Sequence, residues 1–164
     1  MRVFNNRILR IKESLEKAEA QTYMALRNED EVRDGRLIRK HVQIAPSLLF
    51  ARCTKSELEK FRFAHPGEFM VYTKAASPDP APIDDEEMRV FMLVTSVGGG
   101  RGIEYLGETF DFKTGDKVRV IDGAYKGAEG VIRRVRRDRK LLVAVKGVAV
   151  VALSHIPFEY LEKV

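Results

Sequence analysis

Cysteine occurs once, at Cys53, and histidine three times, at His41, His65 and His155. One cysteine excludes an internal disulfide, and its place beside an apolar run is that of a half-buried structural thiol, not a nucleophile. The histidines are scattered, none at metal-ligand spacing with Cys53, so neither a metal nor another cofactor is expected. No run of about 18 apolar residues occurs, and no N-terminal segment has the apolar centre of a secretory signal, which predicts a cytoplasmic chain without membrane contact. Also missing are a phosphate-binding glycine motif followed by Lys-Ser/Thr and a pairing of nucleophile with base, so the sequence does not read as an enzyme. The acidic run at residues 84–87 is better explained as helix capping than as a carboxylate site.

What is present is the composition of a globular chain, 45% hydrophobic and 32% charged over 164 residues, enough for one domain or two small ones. Its charge is uneven. Residues 1–112 hold 17 Lys+Arg against 18 Asp+Glu, whereas residues 113–164 hold 12 against 6. The basic character belongs to the C-terminal third and points there to nucleic acid or an acidic protein surface.

Along the chain, Met1 to Phe4 offers a strand fragment. Asn5 or Asn6 stands where a cap would open a helix over about 7–19, with Ile8, Ile11, Leu15 and Ala18 on one side. Arg7, Arg10 and Lys17 share another side, as a solvated face or as phosphate contacts. Residues 22–26 alternate weakly, and Asp34-Gly35 reads as a hairpin turn within a charged stretch. Residues 44–52 form the strongest strand of the first half, with Pro46 at its start or on an edge. Thr54 and Glu57 form a capping box, residues 69–72 read as a strand, and three prolines precede a second capping box at Asp84 and Glu87. Met88, Phe91 and Met92 give that last helix its apolar stripe.

Four glycines between Gly98 and Gly102 interrupt regular structure and place an interdomain linker over 97–112. Short strands follow at 117–121, 130–136, 140–146, 148–153 and 158–161, with turns at Gly123/Gly127, Asp138 and Gly147, the pattern of a small β-barrel. The fold class is therefore α+β: an N-terminal antiparallel sheet flanked by helices (1–96), the linker (97–112), and a small SH3-like barrel (113–164).

Residues 117–131 (KVRVIDGAYKGAEGV) carry the most specific pattern. Val118 and Val120 alternate as a strand, Gly123, Tyr125, Gly127 and Gly130 follow at fixed offsets, and Val131 begins the next strand. This order resembles the KOW motif of transcription factors and ribosomal proteins. Three earlier segments, residues 2–13 (RVFNNRILRIKE), 44–52 (IAPSLLFAR) and 81–88 (APIDDEEM), resemble in the same order parts of the NGN domain of the NusG family of transcription elongation and antitermination factors. Residues 46–50, 124–130, 146–152 and 156–161 are most similar to the NusG-like specialised paralogues of Bacteroidetes, some of which antiterminate surface-polysaccharide operons.

The resemblance implies a non-enzymatic regulator that binds the clamp helices of RNA polymerase and suppresses pausing or termination, as a monomer and in an operon-specific manner. The positions matching the polymerase patch are Ile44, Ala45, Pro46 and Leu48, with Phe4 and Tyr23 as neighbours. Core packing is the competing role, favoured for Phe4 and Tyr23, with the interface favoured for Ile44, Pro46 and Leu48. Thr54 and Lys55 match a loop facing the opposite wall of the DNA cleft, and Arg7 and Arg10 approach non-template DNA. The patch is aliphatic where the general factor is aromatic. The family's first strand carries an aromatic pair just before the position of Arg2, which implies a start upstream or a shortened strand.

In the barrel, the loop matching the family's site for a ribosomal protein or Rho is Val145, Lys146, Gly147 and Val148. Lysine and valine replace an aromatic and an arginine there, which weakens either assignment. Arg133, Arg134, Arg136, Arg137, Arg139 and Lys140 pack six cations into eight residues. They form either a solvated hairpin or a contact to nascent RNA or DNA; period two would put Arg134 and Arg136 on one strand face and Arg133, Val135 and Arg137 on the other, so some of the cations are expected at a bulge or at the barrel rim. The valines at 143, 145, 148, 150 and 151 predict strands in the free protein, against the helical refolding some family members undergo. A general NusG factor coupling polymerase to Rho or the ribosome, and a KOW protein that binds RNA or ribosomes without polymerase, are the alternatives.

Overall fold

The computed structural model describes residues 1–109 and 115–164. In chain order the elements are β1 (Arg2–Val3), α1 (Ile8–Lys17), β2 (Gln21–Tyr23), β3 (Leu26–Arg33), β4 (Arg36–Gln43), β5 (Phe50–Arg52), α2 (Lys55–Ala64), β6 (Phe69–Met70) and α3 (Asp85–Ser96). Then follow β7 (Ile103–Gly107), β8 (Asp116–Val120), β9 (Glu129–Val135), β10 (Asp138–Val145), β11 (Ala149–Leu153) and β12 (Leu161–Lys163). They divide into two compact units, Met1–Met24 with Pro46–Pro82 and Ala25–Ala45 with Ile83–Val164.

In the first unit, β1 pairs with β6 and β2 with β5, both antiparallel. The amphipathic spacing of α1 buries Ile11 and Leu15, which join Val3, Leu49 and Phe61 in one apolar cluster. Asn5 and Asn6 do not cap α1: both lie in the left-handed region at φ 54, and Arg7 is the N-cap, with no side-chain cap bond. The capping box before α2 is complete, since the Thr54 hydroxyl accepts from Glu57 N while the Glu57 carboxylate accepts from Thr54 N.

The strand expected over 44–52 is short. Only Phe50–Arg52 is extended and paired, preceded by an isolated bridge between Arg2 and Leu48. Pro46 has no N–H to give a ladder, and Ser47 at φ 63 turns the chain out of the β region. The strand expected over 69–72 is likewise confined to its first two residues.

In the second unit, β3 and β4 form an eight-residue ribbon turning through Asp34-Gly35. Six antiparallel strands pair in the order β12-β8-β9-β10-β11-β7. β11 is apolar throughout, with β-branched Val150 and Val151 at its centre, and all five of its residues are buried. The last strand begins at Leu161, not 158, after a 3₁₀ turn at Phe158–Tyr160.

The helix α3 lies against β10 and β3. It buries Val90, Phe91, Val94 and Thr95, leaving Met92 exposed, so the stripe is turned from the one expected. Only half of its capping box forms: Asp84 accepts from Glu86 N and Glu87 N, while the Glu87 carboxylate is engaged elsewhere.

Where a linker was expected, the chain is structured over 97–107. Val97–Gly100 is a turn in which Gly98, Gly99 and Gly100 take left-handed backbone angles, and Ile103–Gly107 is a strand hydrogen-bonded to β11. The glycines permit contact here: a Cβ on Gly100 would stand 2.6 Å from the Leu26 carbonyl oxygen, at the base of the ribbon. Of that expected linker, residues 110–112 lie outside the described residues.

Candidate functional site

The basic run at 133–140 folds as the end of the β9–β10 hairpin. Val135 pairs with Asp138, so the reversal falls on Arg136 and Arg137, at φ 49 and 79, and not on Asp138. Arginine carries a Cβ into this left-handed region at a steric cost. The turn is held by what flanks it, since Val135, Leu141 and Leu142 are buried in the sheet. Strain maintained by surrounding structure clusters at functional positions.

The register then sorts the cations. Arg134 stands directly opposite Arg139, and Arg133 opposite Lys140. Pairs directly opposite in an antiparallel ladder share a face, so Arg134 keeps company with Arg139, and Arg133 with Val135 and Lys140. Arg136 and Arg137 lie in the turn and belong to neither strand face, in keeping with cations placed at the rim. Like charges placed this way repel unless an anion sits between them. Among the described residues, no carboxylate is paired with Arg134, Arg137 or Arg139, all exposed.

Glu104 on β7 brings a carboxylate to two of these cations. Its Oε2 accepts from Lys140 Nζ at 2.7 Å, and Oε1 lies 3.3 Å from Arg136 Nη1. The hydrogen bond from Lys140, then its charge and that of Arg136, hold the Glu104 carboxyl below its ordinary range. Lys140 is thereby spent within the sheet, with its side chain mostly covered. Reading 97–112 as a linker hid Glu104, although Ile103, Tyr105 and their alternation are strand signals.

The KOW residues act inside the sheet. Val118 and Val120 are buried. Gly130 admits β10: a Cβ there would stand 2.2 Å from the Leu142 carbonyl oxygen. Tyr125 is half-buried, and burial raises its phenol pKa. Gly127 N donates to the Val120 carbonyl at 2.8 Å, closing the turn, and Val131 pairs with Lys117 and Leu142.

In the 145–148 loop, Val145 and Val148 are buried, which leaves Lys146 and Gly147 at the surface. Lys146 is held twice by Glu87 of α3: Nζ to Oε1 at 2.9 Å and the backbone N–H to Oε2 at 3.3 Å. This ion pair raises the Lys146 pKa.

The positions matched to a polymerase patch separate by burial. Ile44, Ala45 and Leu48 are only 4, 2 and 3% exposed, so their side chains are core and present no apolar surface. This reverses the expectation for Ile44 and Leu48. Pro46 is exposed, Phe4 is 39% exposed, and Tyr23 is half-buried with its ring 6.3 Å from that of Phe50. Thr54 is occupied in the capping box, Lys55 is ion-paired with Asp79 at 2.7 Å, Arg10 with Glu68, and Arg7 is exposed.

Among the described residues, no group of His, Cys, Asp or Glu has the arrangement of a metal site, and no helix is long and apolar enough to cross a membrane.

No family model matches the chain. The transcription termination/antitermination protein NusG of Borreliella burgdorferi is 34% identical over 87 residues, 52% of this chain and 46% of that protein. The matched segment thus spans about half the length of that relative. A solved structure described as domain interaction in Thermotoga maritima NusG superposes with a TM-score of 0.51 at 19% identity, covering 99% of this chain and 94% of that one. The chain therefore has the mixed α/β fold of NusG, an NGN-like part followed by a KOW barrel, and is similar in sequence to a NusG protein over half its length.

Proposed function

We propose that this chain is a cytoplasmic, non-enzymatic regulator of transcription elongation and antitermination that acts by binding RNA polymerase. The observation that carries this reading is its 34% identity to a NusG protein over 87 residues. We assign the polymerase contact to the surface of the first unit around Phe4, Tyr23 and Pro46, with the buried cluster behind β1 holding it in shape. A few exposed anchors on a fixed base are enough for such a contact.

The second contact in this reading is nucleic acid at the arginine turn. Arg134, Arg136, Arg137 and Arg139 form a phosphate-binding edge that positions the chain without reading bases. The altered loop at Lys146, tied to Glu87, favours an operon-specific regulator like the Bacteroidetes paralogues over a general factor that couples polymerase to Rho or a ribosomal protein.

The test is binding to purified polymerase core, wild type against Phe4→Asp, with an elongation assay alongside. The expected outcome is binding and fewer pauses with wild type, and about tenfold or weaker affinity for the variant. Absence of binding by wild type would leave the barrel as an RNA- or ribosome-binding module.

A further inference from the structure

The β3–β4 ribbon has a feature that neither the polymerase patch nor the arginine turn uses. Every residue from 29 to 41 is exposed. At the far end, Val32 and Leu37 stand directly opposite each other, 70 and 69% exposed, and the next pair outward is Arg33 with Arg36. Two large aliphatic side chains at the tip of an arm thus leave most of their surface in water.

The arm itself is internally neutralised and anchored. Glu29 pairs with Arg27 at 2.6 Å, Asp30 with Arg39 at 3.2 Å and Arg101 at 3.4 Å, and Glu31 with Lys40. Its root lies against the turn at Val97–Gly100. Five residues of strand beyond Asn28 carry the tip outward by about 17 Å. Arg33 and Arg36 differ from the cations of the stalk: among the described residues, neither has a carboxylate partner.

We infer that this tip docks into an apolar cleft rimmed by carboxylates on a protein partner, and that the partner is the transcribing polymerase. The inference rests on the polymerase-binding reading above. Alternation puts Val32 and Leu37 on one face of the ribbon and Arg33, Arg36 and Ile38 on the other. A flat partner satisfies only one face, whereas a cleft meets both, with an apolar wall for the first and acidic groups for the second. Nucleic acid fits less well, since residues 26–43 hold no Phe, Tyr or Trp on which a base would stack and the stalk carries Glu29, Asp30 and Glu31.

The experiment measures affinity for purified polymerase core at two salt concentrations for wild type, V32S/L37S and R33E/R36E. All three are first compared by denaturant unfolding, where exposed tip residues leave stability nearly unchanged. The expected result is about tenfold or greater loss of affinity for V32S/L37S at both salts. R33E/R36E is expected to weaken binding most at low salt, because its contribution is screened.

If wild type binds and V32S/L37S binds equally well, the docking inference is wrong and the polymerase reading stands. If wild type does not bind, the polymerase reading fails and this one falls with it. Loss confined to R33E/R36E, appearing only when nucleic acid is present in the elongation complex, would reassign the tip to phosphate. Sedimentation showing a dimer that V32S/L37S abolishes would reassign it to a second copy of the chain. Either result overturns the inference.

Discussion

Between Arg33 and Arg36 the chain reverses through Asp34 and Gly35, at φ 50 and 74; between Val135 and Asp138 it reverses through Arg136 and Arg137, at φ 49 and 79. The backbone paths are nearly the same. Asp-Gly is a pair that local chemistry selects for this turn, and Arg-Arg is not. The ribbon with the favourable turn is solvated along most of its length, whereas the hairpin with the unfavourable one is anchored by Val135, Leu141 and Leu142. A turn chosen for its geometry sustains an arm with little packing behind it. A turn chosen for its side chains needs a core to hold it, and that core fixes four arginines in a narrow space.

The largest effect that separates the two hairpins is a core truncation. Leu142→Ala is expected to cost about 2–5 kcal/mol, and Leu37→Ala no more than about 0.5 kcal/mol, in urea unfolding. Comparable losses would mean that the ribbon is packed as firmly as the sheet, and the contrast would collapse.

Next comes the exchange of one turn for the other. Arg136→Asn combined with Arg137→Gly is expected to raise stability by about 1–2 kcal/mol by removing left-handed arginines. The same change lowers affinity for duplex DNA and flattens its salt dependence, by about 0.9 in slope for each phosphate no longer neutralised. A variant that is no more stable would show that the turn holds no strain.

The smallest expected effect is the pH dependence of the sheet end. Glu104 titrates below its ordinary value of 4.5 in the folded chain, first because Lys140 donates to it. A carboxyl depressed on folding adds stability that is fully present above its unfolded value and lost as pH falls through the folded one. The stability advantage of wild type over Glu104→Gln is therefore expected to be constant above about pH 4.5 and to shrink under more acid conditions. An advantage independent of pH would show that the carboxylate charge does not matter.

Much of this was readable in the residues, because local chemistry decided it. Asp34-Gly35, the Thr54–Glu57 box and the β-branched strands of the barrel each form for reasons contained within a few positions. The misreadings share a different cause. An apolar run such as 44–49 looks like a strand whether it is extended or merely buried, and the left-handed Ser47 leaves no mark in the sequence. Asp138 attracted the turn as the better turn former, and only strand register moved it to Arg136 and Arg137. The cation cluster was legible as composition. Its Glu104 partner arrives from a strand whose pairing is decided by residues far along the chain, Glu104 itself pairing with Ala152.

That strand has a bearing on how the barrel can be isolated. Ala149–Leu153 is apolar throughout, and one of its two hydrogen-bonding edges is taken by Ile103–Gly107. A fragment beginning at residue 113 would present a bare, sticky ladder of the kind that recruits neighbouring chains into aggregates or swapped dimers. Cutting ahead of Ile103 keeps the guard strand, and solubility of the two fragments side by side would reveal how much of the chain's resistance to self-association depends on those five residues.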